Sequence, residues 1–256
     1  TKAARSSDGT AGGVAIGAGS TGYLGGARID LTAVDNGEAI DAYGVLAEDG
    51  GHIALANRAR VDFGAGNTFS SAAAAAIGAN SLITADDFTI TSNQTGVKAT
   101  RGGQVRLGTG TVDVLHRPGT LAPEALMSHG AGSRITASGT QITLHDEGIA
   151  ATVSYGAELY LDKGAALFAT NNGVGIGSVV DLSQDQTTVL PRKIVLNNAQ
   201  VKATAGVIIQ GDTTFEMTAP RRGHVVATEP VHDPRQLPCR LETGGVSLQA
   251  RVPDRR

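Results

Sequence analysis

The feature that most limits how this chain can fold is an internal repeat. Gly44-Val45-Leu46-Ala47 recurs as Gly96-Val97-Lys98-Ala99 and again as Gly148-Ile149-Ala150-Ala151, at steps of 52 residues. The same offset carries Gly50-Gly51-His52-Ile53-Ala54-Leu55 onto Gly102-Gly103-Gln104-Val105-Arg106-Leu107. It also carries Ser81-Leu82-Ile83-Thr84 onto Ser133-Arg134-Ile135-Thr136, and Thr89-Ile90-Thr91 onto Gln141-Ile142-Thr143. A further Gly-x-x-Leu-x-Leu element, Gly156-Ala157-Glu158-Leu159-Tyr160-Leu161, follows with a slip of two residues. Coincidence of several elements at one offset marks a chain of stacked units, each unable to bury its apolar face alone.

Inside each unit the apolar residues alternate, as in Ile53-Ala54-Leu55, Val105-Arg106-Leu107, Val112-Asp113-Val114 and Leu159-Tyr160-Leu161. Period 2 predicts short strands with one buried face. Gly-Gly, Asp-Asn-Gly, Asn-Asn-Gly and Gly-Ala-Gly clusters between them supply the positive φ that tight corners need. The one helix-like stretch, Ser70 to Ile77, is an alanine run. Its alignment with Glu124 to Ser128 of the next unit predicts an inter-strand corner or a short helical insertion.

Short strands, glycine corners and a long period leave a solenoid, a propeller or a sandwich. A sandwich does not repeat its sequence, and a propeller blade carries an aromatic signature that a chain with no Trp and 4% aromatics lacks. The expected fold is therefore all-β, a parallel β-helix solenoid with a double-coil repeat of about 52 residues. Residues 44–47, 96–99 and 148–151 are expected to stack two coils apart. A narrow interior filled by Ala, Val, Ile, Leu and Thr accounts for the scarcity of large rings.

Composition divides the chain at one point. Residues 1–218 carry 14 Lys/Arg against 20 Asp/Glu and no cysteine, so they hold no disulfide, thiolate metal site or cysteine nucleophile. Residues 219–256 carry 7 Arg against 4 acidic residues, five of the eight prolines and the single Cys239. The expected organisation is a coil domain over 1–218 and an Arg/Pro-rich, poorly ordered tail over 219–256, of the kind an out-of-frame or truncated end produces. A net charge of −3 gives no footprint for nucleic acid, and no apolar run of about 18 residues forms a membrane helix.

The Gly-Gly-x-Ile/Val-x-Leu strand openings, the Ser-x-Ile-Thr-Ala element and the Gly-Val/Ile-x-Ala-Thr element resemble the passenger domain of pertactin-like autotransporters over residues 20–218. That resemblance implies a right-handed parallel β-helix. It also implies export through the periplasm to the surface of a Gram-negative bacterium by a C-terminal β-barrel, with a virulence-associated role in adhesion or host interaction. The implied partners are host surface or serum proteins, bound by a monomer that does not itself insert into the membrane. No Arg-Gly-Asp tripeptide is present.

β-Helices also host enzymes that act on polysaccharides, so the acid and base candidates need weighing. Asp86-Asp87 and Ser128-His129-Gly130 resemble fragments of the polygalacturonase pattern, and paired carboxylates with a helper histidine suit glycoside hydrolysis. The Asn-Thr-Asp element before the pair and the Arg-Ile-Lys element after the histidine are missing, however. The repeat places His129 where the previous unit has Ile77, and Asp86-Asp87 where the next has Ser138-Gly139. Both are read as structural, the aspartates as a solvated corner.

In His145-Asp146-Glu147 alternate residues of a strand point apart, so only His145 and Glu147 could share a metal, and a surface corner is expected. Gly9-Thr10-Ala11-Gly12-Gly13 and Gly17-Ala18-Gly19 lack the Gly-Lys-Ser/Thr ending of a phosphate cradle. The sequence thus assigns no catalytic, cofactor-binding or metal residue. It predicts a non-enzymatic surface or secreted module, with a polygalacturonase- or lyase-like enzyme as the alternative.

Overall fold

Alternating strands joined by glycine corners close into coils that stack along one axis. The computed structural model describes residues 4–6, 9–31, 41–64, 71–115, 123–145, 148–170, 173–178, 190–209, 213–218, 225–227 and 246–250. A short strand, β1 (Ala4–Ser6), precedes eight coils of three strands each. The first coil is β2 (Gly9–Ile16), β3 (Thr21–Gly25) and β4 (Arg28–Leu31), and the second β5 (Asp41–Glu48), β6 (His52–Ala56) and β7 (Ala59–Phe63). The third is β8 (Ala72–Ile77), β9 (Leu82–Ala85) and β10 (Phe88–Ser92), and the fourth β11 (Thr95–Thr100), β12 (Gln104–Leu107) and β13 (Gly110–Leu115). The fifth is β14 (Glu124–His129), β15 (Arg134–Ser138) and β16 (Thr140–His145), and the sixth β17 (Ile149–Ser154), β18 (Glu158–Asp162) and β19 (Ala166–Ala169). The seventh is β20 (Val174–Ser178), β21 (Arg192–Asn197) and β22 (Gln200–Ala203). The eighth is β23 (Ala205–Ile209), β24 (Thr213–Thr218) and β25 (Val225–Ala227), followed by β26 (Val246–Ala250).

The first strands of all coils form sheet I, the second strands sheet II and the third strands sheet III. Pairing from coil to coil is parallel throughout. Among the described residues antiparallel partners occur only at opposite ends, β1 on β2 in sheet I and β26 on β24 in sheet II. This is a parallel β-helix, and seven coil-to-coil steps of about 4.8 Å give a rod about 34 Å long.

A two-coil period arises from the corner between sheets I and II, where two turn designs alternate. Odd coils use Gly17-Ala18-Gly19-Ser20, Gly78-Ala79-Asn80-Ser81 and Gly130-Ala131-Gly132-Ser133, with φ of 88–90° at the first glycine. Each serine donates its hydroxyl to the carbonyl four residues back: Ser20 to Ile16 at 2.6 Å, Ser81 to Ile77 at 2.6 Å and Ser133 to His129 at 2.7 Å. Even coils use Asp49-Gly50-Gly51, Arg101-Gly102-Gly103 and Tyr155-Gly156-Ala157, in which the first two residues both have positive φ. The N–H of Gly50 donates to Ser81 Oγ at 3.0 Å, and that of Gly102 to Ser133 Oγ at 3.0 Å. A serine turn thus satisfies the glycine turn of the coil before it, and the sequence repeats by pairs. Ser81→Ala is expected to cost about 2 kcal/mol, because it leaves buried Ile77 C=O and Gly50 N–H groups without that partner. A loss below about 0.5 kcal/mol in urea unfolding would remove this account of the period.

The stacking expected of the repeat holds over its first step. Val45, Ala74, Val97, Leu126 and Ala151 share one column of sheet I, so the step from 45 to 97 is 52 residues, but that from 97 to 151 is 54. Residues 148–151 therefore lie in the expected sheet yet displaced by two along the strand. Ala150 takes the place of Gly96, and Gly148 backs onto the Pro123 carbonyl instead. The two-residue slip visible at Gly156–Leu161 is shared by β17 and β18, while in β19 Leu167 follows Val112 by 55 residues, a slip of three.

Two further expectations concern the alanine run and the tail. Ala72–Ile77 is neither a corner nor a helical insertion but strand β8, buried along all six residues. Ala73, Ala74 and Ala76 join the interior, while Ala72, Ala75 and Ile77 form a second cluster outside it with Ala11, Tyr43 and Leu46. A strand packed on both faces shows no polar alternation, and tertiary packing overrides the helical preference of alanine. Of residues 219–256, the described 225–227 and 246–250 each extend a sheet. Cys239 lies outside the described residues.

The interior is thin and mostly aliphatic, as its composition predicts. Rings enter where a neighbour makes room. A Cβ on Gly110 would sit 2.5 Å from the Phe88 ring, so that glycine is what lets Phe88 pack inside.

Candidate functional site

Sheet I differs from the other two because one residue of each strand is skipped in the pairing. The skipped column is Gly12, Gly44, Ala73, Gly96, Ala125, Ala150, Gly175 and Gly206. A Cβ on Gly44 would lie 2.4 Å from the Ala73 carbonyl oxygen and 2.5 Å from Val61 Cγ1 of sheet III. At this point two successive residues face inward and the strand bends, and the column holds only glycine and alanine. Beyond the bend the other residues turn to the outer face.

That outer face is mainly apolar in coils 1–3, with Ala11, Val14, Ile16, Tyr43, Leu46, Ala72, Ala75 and Ile77 and with Glu48 in the column of Ile16 and Ile77, and more polar in coils 4–6, where Met127 also lies on it. In the polar part Lys98, Thr100, Thr152 and Ser154 are all buried. Thr152 donates its hydroxyl to Glu124 Oε1 at 2.7 Å. Glu124 Oε2 is out of reach of water and has no hydrogen-bond partner. Burial pushes the Glu124 carboxyl above the usual carboxylate range, against the Thr152 bond and the Lys98 charge. Burial likewise holds the Lys98 amine below its ordinary value, opposed by Glu124 and Asp41. The Tyr43 hydroxyl is pushed up to about 12 by burial, then by Asp41 and Glu48. His129 Nδ1 lies 2.9 Å from Ser154 Oγ, and its ring meets the edge of Tyr155 at 4.7 Å.

This face is the strongest concentration of perturbed groups among the described residues, and sequence reasoning missed it. Its signal was the failure of alternation in Gly-Val-Leu-Ala, Gly-Val-Lys-Ala-Thr and the alanine run. The sign of its pH dependence follows from Glu124. A carboxyl raised on folding is most favourable when protonated, and the cost grows as pH rises from the unfolded value through the folded one. Glu124→Gln keeps an acceptor for Thr152 and removes that cost, so stability should rise by about 1 kcal/mol at pH 8 and change little at pH 4. Thermal unfolding at both pH values measures it. A variant less stable at pH 8 would mean that attraction to Lys98 outweighs the burial cost.

The residues singled out in the sequence do not converge. His129 ends β14 at the corner of sheets I and II, in one column with Ile77 and Thr100. Asp86 and Asp87 are exposed at the corner of sheets II and III. Asp86 Oδ1 accepts from the Thr109 N–H at 2.8 Å, while Asp87 takes a φ of 52° and donates its N–H to the Thr109 carbonyl. Gly139 has a φ of 71° at the place the repeat assigns to Asp87. His145 lies 2.7 Å from Asp113 Oδ1 on the neighbouring strand, and Asp146 and Glu147 lie outside the described residues. Gly9–Gly13 belong to strand β2, and Gly17–Gly19 form the first serine turn. Among the described residues no three His, Cys, Asp or Glu side chains gather as a metal site.

No family model, curated protein or solved structure matches this chain.

Proposed function

We propose that this chain is a non-enzymatic β-helix of the autotransporter-passenger kind, displayed on or released from a bacterial surface, where it binds host surface or serum proteins. The observation that carries this reading is the separation of the Asp86-Asp87 pair, at the corner of sheets II and III, from His129, at the corner of sheets I and II, so that among the described residues this carboxylate pair and this base do not face one substrate. Sheets II and III, by contrast, present regular solvated rungs whose charges are mutually neutralised. Arg134 Nε donates to Glu158 at 2.8 Å, Lys193 pairs with Glu216 at 3.0 Å, and Arg60 holds Asp62 at 2.7 Å. The solvent-facing pairs Arg134–Glu158 and Lys193–Glu216 add little stability, so their outward side chains are open to variation for binding, whereas the Asp62 carboxylate is buried.

The test uses the full chain in two assays. Saturable binding to epithelial cells or immobilised serum proteins, with no release of reducing ends from polygalacturonate or related glycans, is the expected result. Glycan turnover that disappears in both His129→Ala and Asp87→Asn would overturn it and establish the polysaccharide-active reading.

A further inference from the structure

The first coil leaves one strand edge unguarded. β3 ends sheet II, with β6 on its inner side and no described strand beyond it. The carbonyl of Ser20 accepts from the His52 N–H at 2.9 Å, and the Gly26 N–H donates to the Ala56 carbonyl at 2.9 Å. Alternate residues of a parallel strand bond to the same side, so Gly22 and Leu24 also turn to β6. The N–H and C=O groups of Thr21, Tyr23 and Gly25 therefore point along the rod axis, away from the stack. These three residues are exposed, Tyr23 to 68%.

Nothing about β3 blunts this edge. Thr21-Gly22-Tyr23-Leu24-Gly25 has no charge, no proline and no bulge, the devices by which folded sheets discourage added strands. Tyr23 lies along its own strand, filling the space where Gly25 has no Cβ and accepting a hydrogen bond from Asn57 Nδ2 at 2.8 Å, which leaves the backbone edge clear. Leu24 faces the interior but is only partly buried, since no layer covers it from the open end.

We propose that the outer edge of β3 is a strand-addition site for an extended peptide segment of a partner protein, one with apolar residues at alternate positions. Donors and acceptors repeating every second residue are matched in register only by another extended chain. Inward-facing residues of that segment cover Gly22 and Leu24. The occupant is a single strand rather than a second copy. β1 already lies one level beyond coil 1 on sheet I, where another stacked coil would have to sit, and a lone strand on sheet II need not displace it.

The probe is a synthetic peptide of residues 51–57, Gly51-His52-Ile53-Ala54-Leu55-Ala56-Asn57, which carries the alternation of a sheet II strand. Amide exchange is followed by NMR on the full chain. In the free protein the Thr21, Tyr23 and Gly25 amides should exchange rapidly while Gly22 and Leu24 are protected, and the peptide should protect all five. Thr21→Pro removes one outward donor without touching the β3–β6 ladder. It should weaken the peptide at least about tenfold while leaving the melting temperature within about 2 °C. Failure of about 1 mM peptide to protect the outward amides, or equal affinity in Thr21→Pro, would overturn the proposal. So would protection already present in the dilute free chain, or protection that appears only as protein concentration rises, the mark of a second copy.

Discussion

Gly44→Val is expected to destabilise the coil stack by at least about 3 kcal/mol. The first added carbon would lie 2.4 Å from the Ala73 carbonyl oxygen and 2.5 Å from Val61 Cγ1, and the oxygen is backbone, fixed by the pairing of β5 with β8. Relief requires the bend of sheet I to open, which separates it from sheet III. Gly44→Ala puts the same first carbon against that oxygen and should carry much of the cost, the two further methyls of valine adding the rest; Ala73, Ala125 and Ala150 occupy other rungs of the column. Gly19→Ala is the control for conformation alone. Nothing lies within 4 Å of its would-be Cβ, but its φ is 84°, so about 1 kcal/mol of backbone strain is all it should show. Urea unfolding followed by circular dichroism ranks the three. A Gly44→Val loss no larger than that of Gly19→Ala would mean that the column is small for some reason other than close approach of the sheets.

Leu126→Ala should cost about 3 kcal/mol through loss of buried area and the cavity left behind. Leu126 is wholly buried between Val97 and Ala151 in its column, and an alanine on one side offers little to fill the gap. Met127, the next residue, faces outward and is half-buried, so Met127→Ala should cost well under half that amount. Because each coil touches mainly its neighbours, the loss should also be local. Amide exchange should speed up in coils 4–6 before coils 1–2. Equal costs for the two substitutions would contradict the inward and outward assignment along β14.

The pattern of legibility follows from the range of each interaction. Strand positions such as Ile53-Ala54-Leu55 and Val105-Arg106-Leu107 were readable because burial on one face writes itself into adjacent residues. The corners were readable because the positive φ of Gly50, Gly102 and Gly156 is a conformation that favours glycine. The candidate site on sheet I was not readable, since Lys98 and Glu124 lie on one pair of successive coils and Glu124 and Thr152, 28 residues apart, on the next, and they meet only across those coils. Their burial depends on both faces of one sheet being covered, which period 2 does not express.

The sequence by itself determined the repeat, the strands of sheets II and III and the glycine corners, set by alternation along each strand and by local backbone conformation. Tertiary structure alone decided that Ala72–Ile77 is a strand, that the slip seen at Gly156–Leu161 runs back through β17, and that the Asp86-Asp87 pair stands at one corner and His129 at another. Each of these rests on what lies one coil above or below, at a distance of about 4.8 Å in space and, over the described pairings, 21 to 35 residues in sequence. Side-chain volume in a neighbouring coil, rather than any preference of the residue itself, makes that choice.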